Sequence, residues 1–388
     1  MSYLRELKDY VKFKKQKDKD IVFYAEDAAS FIYFEGVIKV LVEKYRKKIS
    51  YITSDPHDPL FSSPRESLNV FYIQKLLPFF TLLLNSKVLL MTMPDLHQFH
   101  VKRSINTVNH IYLLHNIGSS FPVVRHGALF HYDTIFCTGP HHKEEIITQE
   151  QLYDLKKKEL IEFGYYRVEK VYQEFLKRKE NRQQNNPPKI LLAPSWGDKT
   201  TFNLCGQQLV RTLLQEGLEV MVRPHPMTRM ETPHVLDDLY REFQGNHFFI
   251  VEENIKNTES FFNSDVLISD WSGISYEYAF GTEKPVLFMD VPLKVNNPKY
   301  KEVGEPVDVK IRRELGEVVK PEDISTIGLV IRKMIKEREA YKKKILEARK
   351  KMVYNFGNSS DAGAKYILDC LNAKSTLSWI LCFFQDGF

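Results

Sequence analysis

Short apolar runs alternate with helical stretches along almost the whole chain. Ile21–Tyr24 reads as a strand, Ala28–Tyr45 as a helix with a basic tail, and Ile49–Thr53 as a second strand. A helix is expected over Glu66–Leu84, then strands at Val88–Met91, Ile111–His115 and Thr134–Thr138, and a helix near His141–Tyr153. The polar stretch Lys177–Lys189 (KRKENRQQNNPPK) has no apolar period and ends in a proline pair, so it reads as a linker. Beyond it the alternation restarts. Lys189–Ala193 is a strand, Leu204–Glu216 a helix and Glu219–Val222 a strand. His247–Val251 is a strand, Glu259–Asn263 a short helix and Val266–Ser269 a strand. A helix from about Ser272 through Phe280 and a strand at Pro285–Met289 follow, and two helical stretches, Pro321–Val353 and about Asp361–Leu371, close the pattern.

Strands separated by helices imply βαβ units and parallel sheets. The expected fold class is therefore α/β, with two facing Rossmann-like domains and C-terminal helices crossing back. Residues 1–180 form the first domain, 189–353 the second, and 354–388 a helix and tail packing back toward the first. The substrate cleft of such a fold lies between the domains, at the carboxyl ends of the strands.

A chain of 388 residues, 43% of them hydrophobic, is large enough for two ordinary cores. Its four cysteines, Cys137, Cys205, Cys370 and Cys382, are scattered without a CxxC pair, which indicates neither a zinc knuckle nor a disulfide framework. The most apolar region, Val70–Met93, is broken by Lys75, Pro78, Asn85 and Lys87. It falls short of the roughly 20 apolar residues that a membrane span needs. The opening sequence, MSYLRELKDYVKFKKQKDKD, is charged and lacks the apolar centre of a signal peptide, so a cytoplasmic protein is expected. The net charge of +5 hides an uneven distribution, because Ile331–Lys351 alone carries ten basic residues against three acidic ones. That segment is either the solvated face of a surface helix or a contact for an anionic partner, such as acidic lipid head groups or a polyanionic acceptor. Nucleic acid is not expected, since no aromatic residues interleave with the basic ones.

The strand Val266-Leu267-Ile268 leads into Ser269-Asp270-Trp271-Ser272-Gly273, small polar residues that open a helix. A helix that starts where a parallel strand ends aims unpaired N–H groups and a positive dipole end above the sheet, which suits a phosphate. Ser269, Ser272 and Gly273 are thus candidate diphosphate ligands. Arg223-Pro224-His225-Pro226 ends another strand, and its prolines fix the direction of the imidazole. His225 either caps the following helix or, with Arg223, holds the diphosphate. Ser195 and Trp196 end the first strand of the second half, where Trp196 either stacks on a base or covers the sheet edge. Thr138 and Gly139 are expected on the opposite wall, and Asp270 as the N-cap of the helix after it. Asp237-Asp238 falls inside a helix and no DxD-like pair follows a strand, so neither a metal nor a cofactor is expected.

The ordered set LLAPSW (191–196), RPHP (223–226), SDWSGISYEYAF (269–280) and KPVLFMD (284–290) resembles the catalytic domain of CDP-glycerol glycerophosphotransferases. These are the teichoic-acid primases and polymerases, with a glycosyltransferase-B-type (GT-B) fold. FGYYRVE (163–169) is similar to the family's glycine-tyrosine-proline-arginine turn, and NSSDAGAKYI (358–367) to its C-terminal aspartate-glycine stretch. The family's tryptophan-histidine-glycine-threonine sequence has two counterparts, His115-Asn116 and Arg125-His126-Gly127. His115 sits at a strand end, as the family histidine does, and His126 is the alternative. Tyr166 stands where the family has its turn proline, and Gly273 where it has a second serine.

The resemblance implies transfer of glycerol phosphate, or a related polyol phosphate, from a CDP-linked donor to a lipid-linked or polymeric acceptor, with release of CMP. It implies a cytoplasmic protein held peripherally at the inner face of the cell membrane. His115 would take the proton of the acceptor hydroxyl, and His225 with Arg223 would neutralise charge as CMP departs. Glu277, a helical turn and a residue beyond Ser272, would bond the ribose, as acidic residues do in two-domain nucleotide-donor transferases. Two alternatives stand beside this. One is a glycosyltransferase of the same fold using a nucleotide sugar for capsule or lipopolysaccharide. The other is a nucleotide-binding protein without chemistry, which the asparagine after His115 favours.

Overall fold

The computed structural model describes residues 2–63, 65, 67–178, 185–252 and 258–372. Strands β1 (Ile21–Ala25), β2 (Ile49–Thr53), β3 (Leu68–Tyr72), β4 (Val88–Met91), β5 (Asn109–Leu113), β6 (Thr134–Cys137) and β7 (Glu159–Glu162) form one sheet. Their order is β3-β2-β1-β4-β5-β6-β7. Strands β8 (Lys189–Leu192), β9 (Glu219–Val222), β10 (Phe249–Val251), β11 (Val266–Ser269), β12 (Val286–Met289) and β13 (Gly316–Val319) form a second sheet, ordered β10-β9-β8-β11-β12-β13. Every pairing in both sheets is parallel, with Val22 opposite Ser50 and Leu89, and Leu267 opposite Leu191 and Val286. Helices cover both faces, so the central strands are buried on both sides and their sequences are continuous apolar runs. The protein is α/β with two Rossmann-like domains, and each sheet reverses direction once, at β1/β4 and at β8/β11. Those reversals are the places where such sheets bind ligands.

One expected helix is corrected. The stretch Glu66–Leu84 contains β3 at Leu68–Tyr72 and only a short helix, Leu77–Leu82. Its first half is rich in β-branched and aromatic residues, and pairing with β2 satisfies its backbone where an isolated helix would not. Strands β7 and β13, the helix Ser2–Lys15 and the helix Tyr166–Arg178 have no counterpart among the expected elements.

The helix Tyr166–Arg178 sets the geometry between the sheets. Its apolar stripe of Val168, Val171 and Phe175 joins the core around the second sheet, against Ala279 and Phe280 of the helix Ile274–Thr282. The chain returns after the helix Arg338–Met352. There the Tyr354 N–H donates to the Thr138 carbonyl at 2.8 Å, and Asn355 Nδ2 to the Glu162 carbonyl at 2.5 Å. The helix Ser359–Asn372 then packs Ala364 and Ile367 into the first domain's core beside Phe34 and Val37 of the helix Phe31–Lys39. The aromatic tail 375–388 lies outside the described residues.

Of the basic residues in 331–351, Arg349 is buried and turned inward. It donates to the Phe280 carbonyl at 2.7 Å and stacks over Tyr172 and Phe356. Arg332, Lys333, Lys342 and Lys350 are ion-paired to Glu216, Glu317, Glu283 and Glu347. Lys336, Lys343, Lys344 and Lys351 are exposed. No helix among the described residues is long and apolar enough to cross a membrane.

Candidate functional site

A cavity of about 660 Å³ opens between the two sheets, at the carboxyl ends of their strands. From the first domain it is lined by His115 and Asn116 after β5, and by Tyr33 of the helix Phe31–Lys39. From the second come Ala193 and Pro194 after β8, the Arg223–Pro226 turn after β9, and Ser272, Gly273 and Glu277 after β11. Four basic side chains line it, Arg65, Arg167, Lys170 and Arg223, against two carboxylates, Glu35 and Glu277. Three of these cations are ion-paired, Arg167 to Glu277, Lys170 to Glu35 and Arg223 to Glu252, and the N–H groups they keep free of those pairs, with Arg65, favour an anionic ligand.

Six of the residues singled out in the sequence therefore share one cavity: His115, Arg223, His225, Ser272, Gly273 and Glu277. The two walls nearly touch at Gly273, where a Cβ would sit 3.0 Å from Asn116 Oδ1. A serine there, as the family has, would press on the loop that carries His115. The helix Ile274–Thr282 begins without a side-chain cap; the Ser275 and Tyr276 amides are taken by the Ser272 and Gly273 carbonyls (3.1 and 3.2 Å), which leaves the Gly273 and Ile274 amides at its start for solvent or ligand.

Ser195 and Ser269 lie outside the cavity lining. The Ser269 hydroxyl is fully buried and donates to the Ala193 carbonyl at 2.7 Å, tying β11 to the end of β8. The Ser195 N–H donates to Asp270 Oδ1 at 2.7 Å. Asp270 is not the cap of the helix that follows it. Its second oxygen accepts from the Thr201 N–H (3.1 Å) and hydroxyl (3.0 Å), so it anchors the start of the helix Thr201–Gln215 instead. Thr138 and Gly139 do not reach the cavity either. Thr138 is fully buried, its hydroxyl 3.1 Å from the Asn116 carbonyl and 2.8 Å from His142 Nδ1.

His225 caps the helix Pro226–Glu231, its Nδ1 accepting the Met227 N–H at 3.1 Å, and also faces the cavity. Both readings offered by the sequence are met by one ring. Burial and the neighbouring Lys294 push its pKa down to about 4. A neutral ring whose Nδ1 accepts must carry its proton on Nε2, so His225 is a hydrogen-bond donor at neutral pH. Trp196 stacks on it, with ring centroids 5.9 Å apart, and Lys294 Nζ lies 3.0 Å from the centre of the Trp196 ring. The indole packs on protein, not on an open sheet edge.

His115 packs against Tyr33, ring centroids 5.1 Å apart, and its Nδ1 is buried without a hydrogen-bond partner of good geometry. Burial holds its pKa below the ordinary histidine value, with the Leu113 carbonyl partly opposing. It is therefore neutral and able to accept a proton. The loop beyond it is held by two adjacent histidines, His141 donating to the Ile117 carbonyl at 2.7 Å and His142 to the Gly118 carbonyl at 2.8 Å. His126 packs against Phe130 and Tyr153, away from the cavity.

Several lining residues carried no functional expectation: Tyr33, Arg65, Tyr165, Arg167 and Lys170. The motif FGYYRVE contains two of them, but only the fold shows that it crosses from one wall to the other.

Facing switch points and two neutral histidines on opposite walls define a two-domain α/β cleft of the kind that takes nucleotide-linked, phosphate-bearing ligands. Residues 125–369 match the family CDP-Glycerol:Poly(glycerophosphate) glycerophosphotransferase, and the chain belongs to that family. No curated protein matches the chain. Among solved structures it is similar to a variant of the wall teichoic acid polymerase TagF, at 14% identity over 95% of both chains with a TM-score of 0.58. A TagF variant soaked with CDPG is similar at 13% identity, over 95% of this chain and 94% of that one, with a TM-score of 0.59. The UDP-GlcNAc 2-epimerase of Methanocaldococcus jannaschii, in complex with UDP-GlcNAc and UDP, matches at 12% identity over 92% of this chain and 100% of its own, TM-score 0.58. At such identities the likeness is one of fold.

Proposed function

We propose that this transferase moves glycerol phosphate, or a related polyol phosphate, from CDP-glycerol or a similar donor to a lipid-linked or polymeric acceptor in teichoic-acid-type polymer synthesis. The observation that carries the reading is His115 and His225, from opposite sheets, lining one cavity with the Ser272-Gly273 helix start. The acceptor hydroxyl oxygen bonds to the β-phosphorus of the donor while the bond from that phosphorus to the CMP oxygen breaks. His115 accepts the hydroxyl proton, and CMP leaves with the electron pair. Such transfers depend mainly on positioning and charge stabilisation. His225 donates from Nε2 to a phosphate oxygen, and Ser272 and the amides at Gly273 supply further donors. Arg223 adds charge from behind. Both oxygens of Glu277 already have protein partners, Arg167 and Tyr165, so the ribose role that the resemblance implies for it forms no part of this proposal. Ser195 and Ser269 support the loops that carry these groups. The domain division at residues 180 and 189, with acceptor on the first side and donor on the second, belongs to the same proposal.

The exposed Lys336, Lys343, Lys344 and Lys351 support peripheral contact with an anionic membrane surface at the cytoplasmic face. Incubation with CDP-glycerol, UDP-sugars and CMP-sugars, followed by nucleotide release, tests the donor. CMP from CDP-glycerol is the expected product. Release of nucleotide from a sugar donor alone would replace this reading with a glycosyltransferase.

A further inference from the structure

Arg167 stands second in the helix Tyr166–Arg178, near the positive end of the helix dipole, where a cation is disfavoured. Its Nε lies 2.6 Å from Glu277 Oε2, and its side chain is only 19% exposed. A guanidinium carries five N–H donors. Among the described residues, Glu277 is the one partner of this one, and no ion pair or hydrogen bond takes its Nη groups. Buried charges in folded proteins are normally paired and fully hydrogen-bonded. In Arg167 the buried atom is Nε, set against Glu277, while the fork stays open to the cavity that His115 and His225 also line, and an open planar fork is a site prepared for an anion.

The surrounding groups keep it there. Tyr165 is buried, with its hydroxyl 3.1 Å from Glu277 Oε1 and 3.0 Å from the His115 carbonyl. Both oxygens of Glu277 are thus engaged, one by Arg167 and one by Tyr165. The same hydroxyl ties the network to the strand end that carries His115. Arg65 also lines the cavity but is exposed and lies over the Phe31 ring, 4.9 Å from its centroid. Arg223, the other buried guanidinium of the lining, is turned into its own domain. Its Nη1 contacts Glu252 at 2.7 Å and Ser260 Oγ at 3.2 Å, and the side chain is 4% exposed. Of the two, Arg167 has the donors to give.

We propose that Arg167 binds the phosphate being transferred through its Nη groups, and that Glu277 and Tyr165 are positioning residues for it. The assignment rests on the transferase reading above. As the acceptor oxygen bonds to phosphorus and the CMP oxygen leaves with its electrons, negative charge is spread over the non-bridging oxygens. A planar fork matches two of them at once. Glu277 acts through Arg167, so its removal lowers turnover with little effect on donor affinity.

The test is CMP release from CDP-glycerol by the wild type, Arg167→Ala, Arg167→Lys and Glu277→Gln, with pyrophosphate binding followed by calorimetry. Arg167→Ala is expected to lose ~10²- to 10³-fold in kcat, as loss of one charge-stabilising donor does elsewhere. Guanidinium added at millimolar concentration restores part of that loss, and does nothing for His115→Ala. Glu277→Gln is expected to lose about tenfold in kcat with KM for CDP-glycerol within about threefold. A kcat for Arg167→Ala within about threefold of the wild type overturns the assignment. Should the alanine protein not fold, Arg167→Lys decides, because lysine keeps the charge without the fork; a kcat within about threefold again overturns it. Failure of the transferase reading looks different, since the wild type itself would release no CMP. Arg167 is then judged by pyrophosphate, whose affinity should fall at least tenfold in Arg167→Ala; equal affinities reject the site.

Discussion

His225 Nδ1 accepts the Met227 N–H, and this single hydrogen bond decides which nitrogen of the ring faces the cavity with a proton. Capping and donor binding are separable by substitution. His225→Asn keeps a side-chain oxygen able to cap the helix but removes the Nε2 donor. It is expected to melt within a degree or two of the wild type while CMP release drops ~10²-fold or more. His225→Ala should lose the activity and also about 1 kcal/mol of stability. Wild-type turnover in the asparagine protein would remove His225 from the chemistry.

His115 is held neutral by burial, and its proton-accepting form prevails above its lowered pKa. His115→Gln is expected to fold, to bind CDP and to release CMP at least 10²-fold more slowly. In the wild type, kcat should be level at pH 7 and above and decline only below the ordinary histidine value of 6.5. A folded glutamine variant with undiminished turnover would show that another group removes the proton.

Glu145 gives a pH signature of opposite sign. Burial pushes its pKa up to about 8 from 4.5, while Ser120 donates to it from its backbone (3.1 Å) and its hydroxyl (3.3 Å). The folded protein therefore keeps a proton that the unfolded chain has lost between those values. Its contribution to stability is complete below pH 4.5 and disappears as the pH rises through about 8. Glu145→Gln removes this dependence, so the decline in Tm between pH 6.5 and 8.5 should become shallower. The buried histidines contribute equally to both proteins, so the difference between the two slopes belongs to Glu145. Identical slopes would mean that the carboxyl is ionised in the folded protein.

Gly36 sits where three elements converge. A Cβ there would collide with Ser360 Oγ on the last helix and with the ring of Tyr166 on the helix that joins the domains. Gly36→Ala is expected to cost about 1–3 kcal/mol through overpacking. The measurement is thermal unfolding, and an unchanged Tm would show that the last helix can move aside without loss.

Charge reversal of Lys336, Lys343, Lys344 and Lys351 to glutamate should weaken co-sedimentation with phosphatidylglycerol vesicles several-fold at low salt. None of the four lines the cavity, so CMP release with a soluble acceptor should be unaffected. Vesicle binding unaltered by the reversal would assign the contact to another surface.

The central strands were legible because parallel strands covered on both faces leave uninterrupted apolar runs. Val266–Ser269 and Glu219–Val222 are observed within the limits the sequence suggested. The edge strand Glu159–Glu162 was not legible, since its ends are exposed and charged. β3 was misread because only Gln74 and Lys75 mark the break before the apolar helix after it, and two polar residues suit the solvent face of one long helix as well as a turn. His225 and the Ser272-Gly273 helix start could be found from local order alone. Arg167 could not, because what makes it unusual is a carboxylate more than a hundred positions away and a fork left without partners. Ser269 shows the reverse failure: a small polar residue at a strand end suggested a ligand, and its hydroxyl is spent on holding two strand ends together.

The helix Ser359–Asn372 comes after the whole second sheet in the chain, yet Ala364 and Ile367 complete the core of the domain that precedes it. On the ribosome, the opening sheet must wait with one apolar face uncovered while the entire second half is synthesised. Loss of the turns that carry Ala364 and Ile367 would consequently injure the first domain rather than the second, which lies nearer in the chain.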